Sequence, residues 1–338
     1  MTRQTAWPLF LTVLLVVTAV VSLGVGPVAV SPLRIVGDLL PISGSGMTPT
    51  EATIVWQLRL PRILLACMVG AGLGTAGAGY QGLFRNPLAD PYVVGASSGA
   101  ALGATLAIVT GVNGLLGLGA IPLMALAGAL LAVAAVYGVA TVGSEVPMLS
   151  LLLAGVAVSS LVTALMSLLM FMHDDKLIAI VGWLMGSLSG RGWQDFWTTA
   201  PLMLVGSLTL WGLSRSLDAL TFGEETAASL GLRLARFRGL VVLAASLATA
   251  AAVAAAGVIG FVGLIAPHGA RLLVGARHAV AIPASALLGA LLLVVADDLA
   301  RTVVAPAELP VGVLTALLGG PFFLYLLKTR RGAWGRNA

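Results

Sequence analysis

Long apolar runs separated by short polar breaks occupy this chain from about residue 8 to residue 327. Most of the runs reach the roughly 20 residues that a helix needs to cross a lipid bilayer. The pattern predicts an all-α, polytopic membrane protein that forms a single domain over residues 1–338 and has about ten spans. We expect these spans near residues 8–30, 62–83, 92–110, 119–141, 148–171, 195–213, 239–256, 257–266, 280–300 and 309–327.

Proline marks three of the breaks. Residues 31–58 contain several prolines, glycines and serines, which predict an irregular external segment. The sequence Arg85-Asn86-Pro87-Leu88-Ala89-Asp90-Pro91 predicts a turn between two spans, because proline and short polar residues disfavour a continuous helix. Residues 266–271, with Pro267 and His268, predict a similar break on the inner side of the membrane.

The segment of residues 216–239 stays polar for more than twenty residues. Glu224 and Glu225 follow Gly223, which favours a helix start there, since carboxylates stabilise the positive end of the helix dipole. Gly231 favours the end of that helix. A second short helix is predicted after it, with three apolar residues at positions i, i+4 and i+7: Leu230, Leu234 and Phe237. An amphipathic helix pair of this kind serves either as a docking surface for a partner protein or as an interfacial helix on lipid headgroups.

Composition supports the membrane interpretation. Apolar residues make up 59% of the chain and charged residues 9%, with a mean hydropathy of +1.05. A soluble globular domain has about a quarter charged residues. The net charge of +5 does not indicate nucleic-acid binding, because the basic residues are scattered at the ends of the spans. They favour one side, which predicts a multi-pass protein with both termini in the cytoplasm.

Other motifs narrow the function. The sequence Gly72-Leu73-Gly74-Thr75-Ala76-Gly77 matches the dinucleotide fingerprint but lies inside a span, so it predicts close packing between helices. The phosphate-binding loop of ATPases is absent from the sequence, so ATP hydrolysis by this chain is not expected. The single cysteine, Cys67, excludes an internal disulfide framework.

Two other functional classes stay open. An ion-coupled secondary transporter needs ionisable residues in the middle of its spans, and the predicted spans carry none there. An intramembrane enzyme needs a clustered metal or nucleophile set. The histidines that it would draw on are predicted at span ends: His173, His268 and His278.

Six motifs make the chain resemble the FecCD group, the permease subunits of ABC importers for iron–siderophore complexes, haem and cobalamin. The resemblance covers about residues 55–327. The motifs are Arg59-Leu60-Pro61-Arg62, Gln81 with Arg85 to Pro91, Trp183-Leu184-Met185-Gly186, Gly223-Glu224-Glu225 with Leu230-Gly231, Gly260 to His268, and Glu308-Leu309-Pro310-Val311-Gly312.

The resemblance implies a type II ABC importer permease fold of ten-helix subunits in the bacterial inner membrane. It implies a homodimer, two ATP-binding cassette subunits in the cytoplasm that hold ATP and magnesium, and an external substrate-binding protein. No cofactor or metal is expected on this chain itself. The cargo would be a bulky metal chelate, with a ferric siderophore expected before haem and cobalamin.

The same resemblance implies three sets of site residues. It makes residues 216–239 a cytoplasmic coupling segment and places the ATPase-coupling role on Leu217, Gly223, Glu224, Glu225, Leu230, Gly231, Leu234 and Phe237. It places docking of the binding protein on three arginines, which we expect to be exposed: Arg59, Arg62 and Arg301. It makes the span from Met148 to Phe171 the lining of the pathway, through Ser159, Ser160, Thr163 and Ser167.

Overall fold

A computed structural model describes residues 3–39, 47–112, 119–143 and 146–334 of the chain. These residues are predominantly helical, as the hydrophobic pattern predicts. The α-helices are α1 Arg3–Gly24, α2 Pro32–Leu39, α3 Pro49–Thr53, α4 Leu60–Leu83, α5 Ala96–Thr110, α6 Ala120–Ala140, α7 Met148–Met172, α8 Leu177–Leu184, α9 Trp193–Gly212, α10 Ser214–Thr221, α11 Glu224–Ser229, α12 Leu234–Ala256, α13 Val262–Val274, α14 His278–Thr302 and α15 Val311–Trp334.

The number of apolar segments agrees with the prediction of about ten spans. In the described residues, six helical segments are long and apolar enough to cross a membrane, and α9 with α10 forms a seventh that is bent by 48°. Three shorter apolar helices complete the set: Ala96–Thr110, Val262–Val274 and Val311–Tyr325. The chain is therefore built as a multi-pass helical protein.

Helix α4 lies at the centre and packs against α14, α12, α9 and α13. Small residues allow the close approach. A Cβ atom added to Gly70 would overlap the Gly289 backbone, and one added to Gly77 would overlap the Gly263 carbonyl oxygen. The glycine-rich stretch of α4 is thus a packing surface, as predicted, because helices in lipid associate through close van der Waals contact.

Hydroxyl groups add polar contacts to this packing. Tyr80 and Ser246 share a hydrogen bond of 2.7 Å between α4 and α12, and both side chains are fully buried. Thr75 and Ser207 share one of 2.8 Å between α4 and α9. Polar groups buried among membrane helices are stabilised when they find such partners.

The segment before α4, which was predicted to be external, is more ordered than expected. The prediction of an irregular chain over residues 31–58 is wrong for its described part, which contains α2, α3 and a π-helical turn, Ile54–Arg59, that runs into α4. The cause lies in local capping: the Thr48 hydroxyl accepts from the Glu51 backbone N–H at 3.2 Å, and the Glu51 carboxylate accepts from the Thr48 N–H at 2.7 Å. This reciprocal pair starts a helix at Pro49.

The prediction of a short span at 257–266 with an inner break at 266–271 is also wrong. The break falls at residues 257–261, and both Pro267 and His268 lie inside α13. A proline within a helix leaves the carbonyl four residues earlier without its usual donor. Here the Gln81 side-chain amide donates to that carbonyl, on Gly263, at 3.3 Å. A neighbouring helix therefore makes the proline tolerable.

The predicted turn after α4 is confirmed. Asp90 caps a 3-10 turn, Pro91–Val94, by accepting from the Tyr92 backbone N–H at 2.8 Å. Burial raises the pKa of the Asp90 carboxyl, while this hydrogen bond acts in the opposite direction. The Tyr92 hydroxyl then donates to the Ile259 carbonyl oxygen at 2.8 Å, which ties the turn to the break between α12 and α13.

Candidate functional site

The three arginines predicted to dock the binding protein meet near the first residues of α4 and the last residues of α14. Arg62 donates from Nε to both oxygens of Asp297, at 3.1 and 3.0 Å, and from Nη1 to both oxygens of Glu308, at 3.0 Å. Arg301 pairs with Asp297 at 3.3 Å and contacts Asp298. We call the six charged residues the outer ion cluster: Arg59, Arg62, Asp297, Asp298, Arg301 and Glu308.

The cluster also holds the end of α1. Arg59 donates from Nη1 to the Leu23 carbonyl oxygen at 2.8 Å and from Nη2 to the Val28 carbonyl oxygen. The Ser22 hydroxyl donates to Asp298 at 2.6 Å. Charge-assisted bonds of this kind are stronger than neutral ones. The cluster therefore joins α1, α4, α14 and the loop before α15.

The expected exposure of these arginines is wrong. Arg59 is 6% exposed, Arg62 is 8% exposed and Arg301 is 3% exposed. The acidic residues of the cluster match the arginines in number, and buried charges require such partners. The i, i+4 spacing of Asp297 and Arg301 on α14 accounts for their ion pair, but the sequence carries no signal that Arg62 would join it. The docking role of the arginines stays a prediction.

The predicted pathway helix, α7, presents a largely exposed surface. Ser160, Thr163 and Ser167 are exposed, and the hydroxyls of Ser160 and Ser167 bind backbone carbonyls of their own helix. Ser159 is half-buried and accepts from the Ser98 hydroxyl of α5 at 3.2 Å. Helix α7 contains no charged residue. The exposed hydroxyls share one face with large apolar side chains: Leu149, Leu153, Val156 and Phe171.

The predicted start and end of the first helix in the coupling segment are confirmed. Helix α11 begins at Glu224, directly after Gly223, and ends before Gly231, whose φ of +86° is the left-handed conformation typical of a helix C-terminus. The segment is anchored on both sides. Asp218 accepts from the His278 ring at 2.6 Å and from its backbone N–H at 2.9 Å, and Glu224 pairs with Arg238 at 2.6 Å.

The predicted second short helix is wrong. Leu234 is the first residue of the long helix α12, so Leu230 lies on the other side of the Gly231 turn. Leu230 is 70% exposed, whereas Phe237 is 3% exposed and belongs to the core of this chain. Leu217 is also buried in that core. Leu230, Leu234 and Phe237 therefore do not form one face, because the chain changes direction at the Gly231 turn.

The exposed part of the coupling segment differs from the predicted set. It includes two large apolar side chains and a carboxylate: Phe222, which is 76% exposed, Leu230 and Glu225. Phe222 directly precedes Gly223 and was missed, since the sequence alone does not distinguish a core phenylalanine from a surface one. Among the described residues, no group of three or more histidine, cysteine, aspartate or glutamate side chains is arranged to hold a metal ion. The ATPase-coupling role of the segment stays a prediction.

The chain is similar to known transport proteins over almost its whole length. A family profile described as the FecCD transport family matches residues 14–329. The chain is 45% identical over 285 residues to the cobalamin import system permease protein BtuC of Halobacterium salinarum, covering 84% of this chain and 76% of that protein. It is 40% identical over 320 residues to the Fe(3+)-citrate import system permease protein YfmE of Bacillus subtilis, covering 95% and 94%.

A solved structure has the same architecture. It is described as an inward-facing conformation of a metal-chelate type ABC transporter and matches with a TM-score of 0.84 and 38% identity, covering 95% of this chain and 98% of the solved one. This match confirms the predicted type II ABC importer permease fold. The family match over most of the chain, together with these relatives, shows that the protein belongs to the FecCD transport family and is a membrane-spanning permease subunit of an ABC importer for metal chelates.

Proposed function

We propose that this permease carries a ferric siderophore across the bacterial inner membrane. Two copies of the chain form the channel, two ATP-binding cassette subunits drive it from the cytoplasm, and an external protein delivers the chelate. Both termini lie in the cytoplasm. The observation that carries the proposal is the exposed face of α7, which combines the hydroxyls of Ser160, Thr163 and Ser167 with large apolar side chains and has no charge.

That face suits a bulky chelate whose metal is already wrapped by its own ligands. Neutral hydroxyls and apolar side chains offer weak contacts to a large ligand surface. Passage requires that the cargo enter and leave several weak sites rather than occupy a single tight one. A bare ion would instead need charged or carbonyl ligands to replace its water. The chemistry of α7 therefore supports a large, shielded cargo.

The coupling segment supports a protein partner in the cytoplasm. Helices that rest on lipid headgroups carry lysine and arginine on their polar face. Helix α11 instead carries two carboxylates, Glu224 and Glu225, and no basic residue. Its neighbours Phe222 and Leu230 are 76% and 70% exposed and offer apolar anchors beside these charges. Docking of an ATP-hydrolysing subunit is the use that accounts for both features.

Cobalamin is the second candidate cargo. The observation in its favour is the 45% identity to the Halobacterium salinarum permease named for cobalamin import. A corrinoid is also a large metal chelate, so the uncharged face of α7 does not distinguish it from a siderophore. The two candidates differ in the external protein that must deliver them.

Reconstitution in liposomes tests the proposal. The permease would be combined with its ATP-binding subunit and binding protein, and uptake of a ferric hydroxamate and of cyanocobalamin would be measured. We expect ATP-dependent uptake of the ferric hydroxamate and no uptake by the permease alone. Preferred uptake of cyanocobalamin would assign the second cargo. Accumulation by the permease alone under a proton or sodium gradient would replace the importer with a secondary transporter.

A bulky substitution on α7 tests the pathway. Ser160→Trp places an indole on the exposed hydroxyl face and should reduce uptake more than ATP hydrolysis. Leu161→Trp is the matched control, since Leu161 is 63% exposed and points about 100° away around the helix. Equal uptake in the two variants would show that this face of α7 does not line the pathway.

A further inference from the structure

Arg238 connects the coupling segment to the pathway helix. It lies in the second turn of α12 and is 7% exposed. One terminal nitrogen, Nη2, pairs with the Glu224 carboxylate of α11 at 2.6 Å. The other, Nη1, donates to the Val146 carbonyl oxygen at 3.1 Å. Val146 is 3% exposed and stands one residue before Pro147, the residue that caps α7.

The guanidinium group suits a link between two elements. It is planar and rigid, and its donors point in fixed directions, so two acceptors bound to it are held at a fixed spacing. Both bonds are charge-assisted, and the burial of Arg238 limits competition from water. A displacement of Glu224 relative to α12 would therefore pull on the guanidinium and, through it, on the chain that leads into α7.

One polar atom of Arg238 lacks a hydrogen-bond partner among the described residues. The Nε atom of Arg238 is buried and has no hydrogen-bond partner in the described part of the chain. Unsatisfied buried polar groups are uncommon in folded proteins, and a rearrangement that supplied a partner would be favourable. The observed contacts are thus suited to a residue with more than one arrangement during the transport cycle.

We propose that Arg238 is a positioning residue that transmits movement of α11 to the cytoplasmic end of α7. The inference rests on the proposed function, in which an ATP-binding subunit acts on the coupling segment. It adds a residue outside the predicted coupling and pathway sets and a route between those two sets. The route uses three groups in sequence: the Glu224 carboxylate, the Arg238 guanidinium and the Val146 carbonyl.

The first test compares Arg238→Lys with Arg236→Lys in the reconstituted complex. Lysine keeps the positive charge but cannot hold two acceptors at a fixed spacing. Arg236 is exposed on the same turn of α12 and is the matched control. We expect Arg238→Lys to lower the uptake per ATP hydrolysed by about tenfold, a change within the range seen for residues along coupling networks. Arg236→Lys should leave that ratio unchanged.

The second test measures the movement directly. Spin labels on Ala228 of α11 and Leu149 of α7 use exposed positions, with Cys67→Ala to prevent labelling elsewhere. In the parent complex, trapping with ATP and vanadate should leave the distance between the labels nearly constant, because the two elements move together. In Arg238→Lys the distance should change on trapping, because α11 moves without α7.

A charge exchange keeps the inference testable if Arg238→Lys fails to assemble. Glu224→Arg combined with Arg238→Glu restores an ion pair, but glutamate cannot donate to the Val146 carbonyl. This variant should assemble and still show reduced uptake per ATP. An unchanged ratio of uptake to ATP hydrolysis in every variant, even where both rates fall, would overturn the inference. Failure of the parent complex to take up chelate with ATP would instead overturn the proposed function.

Discussion

Removal of Arg62 from the outer ion cluster should destabilise the permease strongly. Arg62→Met keeps an unbranched apolar stem but removes the guanidinium, which contacts both Asp297 and Glu308. The cluster then has one negative charge in excess. Breaking a buried pair by removal of one partner costs about 3–5 kcal/mol, because the remaining charge stays buried without compensation.

The remaining contacts set the expected value within that range. Asp297 keeps Arg301 as a partner at 3.3 Å, and the Glu308 side chain is 28% exposed and can turn toward water. Both effects reduce the cost. We therefore expect a loss of about 3 kcal/mol in the free energy of unfolding. Equilibrium unfolding of the purified permease in mixed detergent micelles measures this quantity.

Arg34 provides the matched control. It pairs with Glu51 at 3.1 Å, but its side chain is 52% exposed. Exposed ion pairs contribute about 0–1 kcal/mol, so Arg34→Met should have little effect on unfolding. The double variant Arg62→Met with Asp297→Asn restores a neutral cluster and should be more stable than Arg62→Met alone.

Equal stability losses in Arg62→Met and Arg34→Met would refute the reasoning, since they would mean that water solvates the cluster in the membrane protein. A double variant less stable than Arg62→Met would refute the charge-balance argument. The same burial affects any test of docking. Reversal of the charge on Arg59 or Arg62 would disturb the fold, so a loss of binding-protein affinity in such variants would not by itself identify a docking residue.

Two further predictions concern packing and coupling. Gly77→Ala should lower the free energy of unfolding by about 1–3 kcal/mol, because the added methyl group overlaps the α13 backbone. Gly182→Ala is the control: this helical position has open space, so the substitution should not lower the unfolding transition measured in the same micelles. Leu230→Ser should weaken co-purification of the ATP-binding subunit and leave unfolding unchanged, because Leu230 is 70% exposed. Phe237→Ser should instead destabilise the core by about 3–5 kcal/mol. An unfolding curve identical to that of the parent would contradict the placement of Phe237 in the core.

The packing role of the α4 glycines could be predicted because it depends on a local pattern. Gly70, Gly74 and Gly77 recur at spacings that place them along one side of a helix, and an apolar helix rich in small residues has few other uses in lipid. The structure adds only the identity of the neighbours, which are α14 and α13. The turn after α4 and the start of α11 were predictable for the same reason, since proline, glycine and carboxylates act on the adjacent backbone.

The sequence by itself determined the apolar segments, their approximate number, the polar coupling segment and, through its motifs, the transport family. Each of these follows from hydrophobic periodicity or from short-range backbone chemistry. Only the tertiary structure decided that Arg62 meets Asp297, 235 residues away, that Phe237 is buried while Leu230 is exposed, and that Arg238 joins Glu224 to the base of α7. The physical reason is that burial and ion pairing depend on which helices pack together, and contacts between residues distant in sequence leave no periodic signal in the chain.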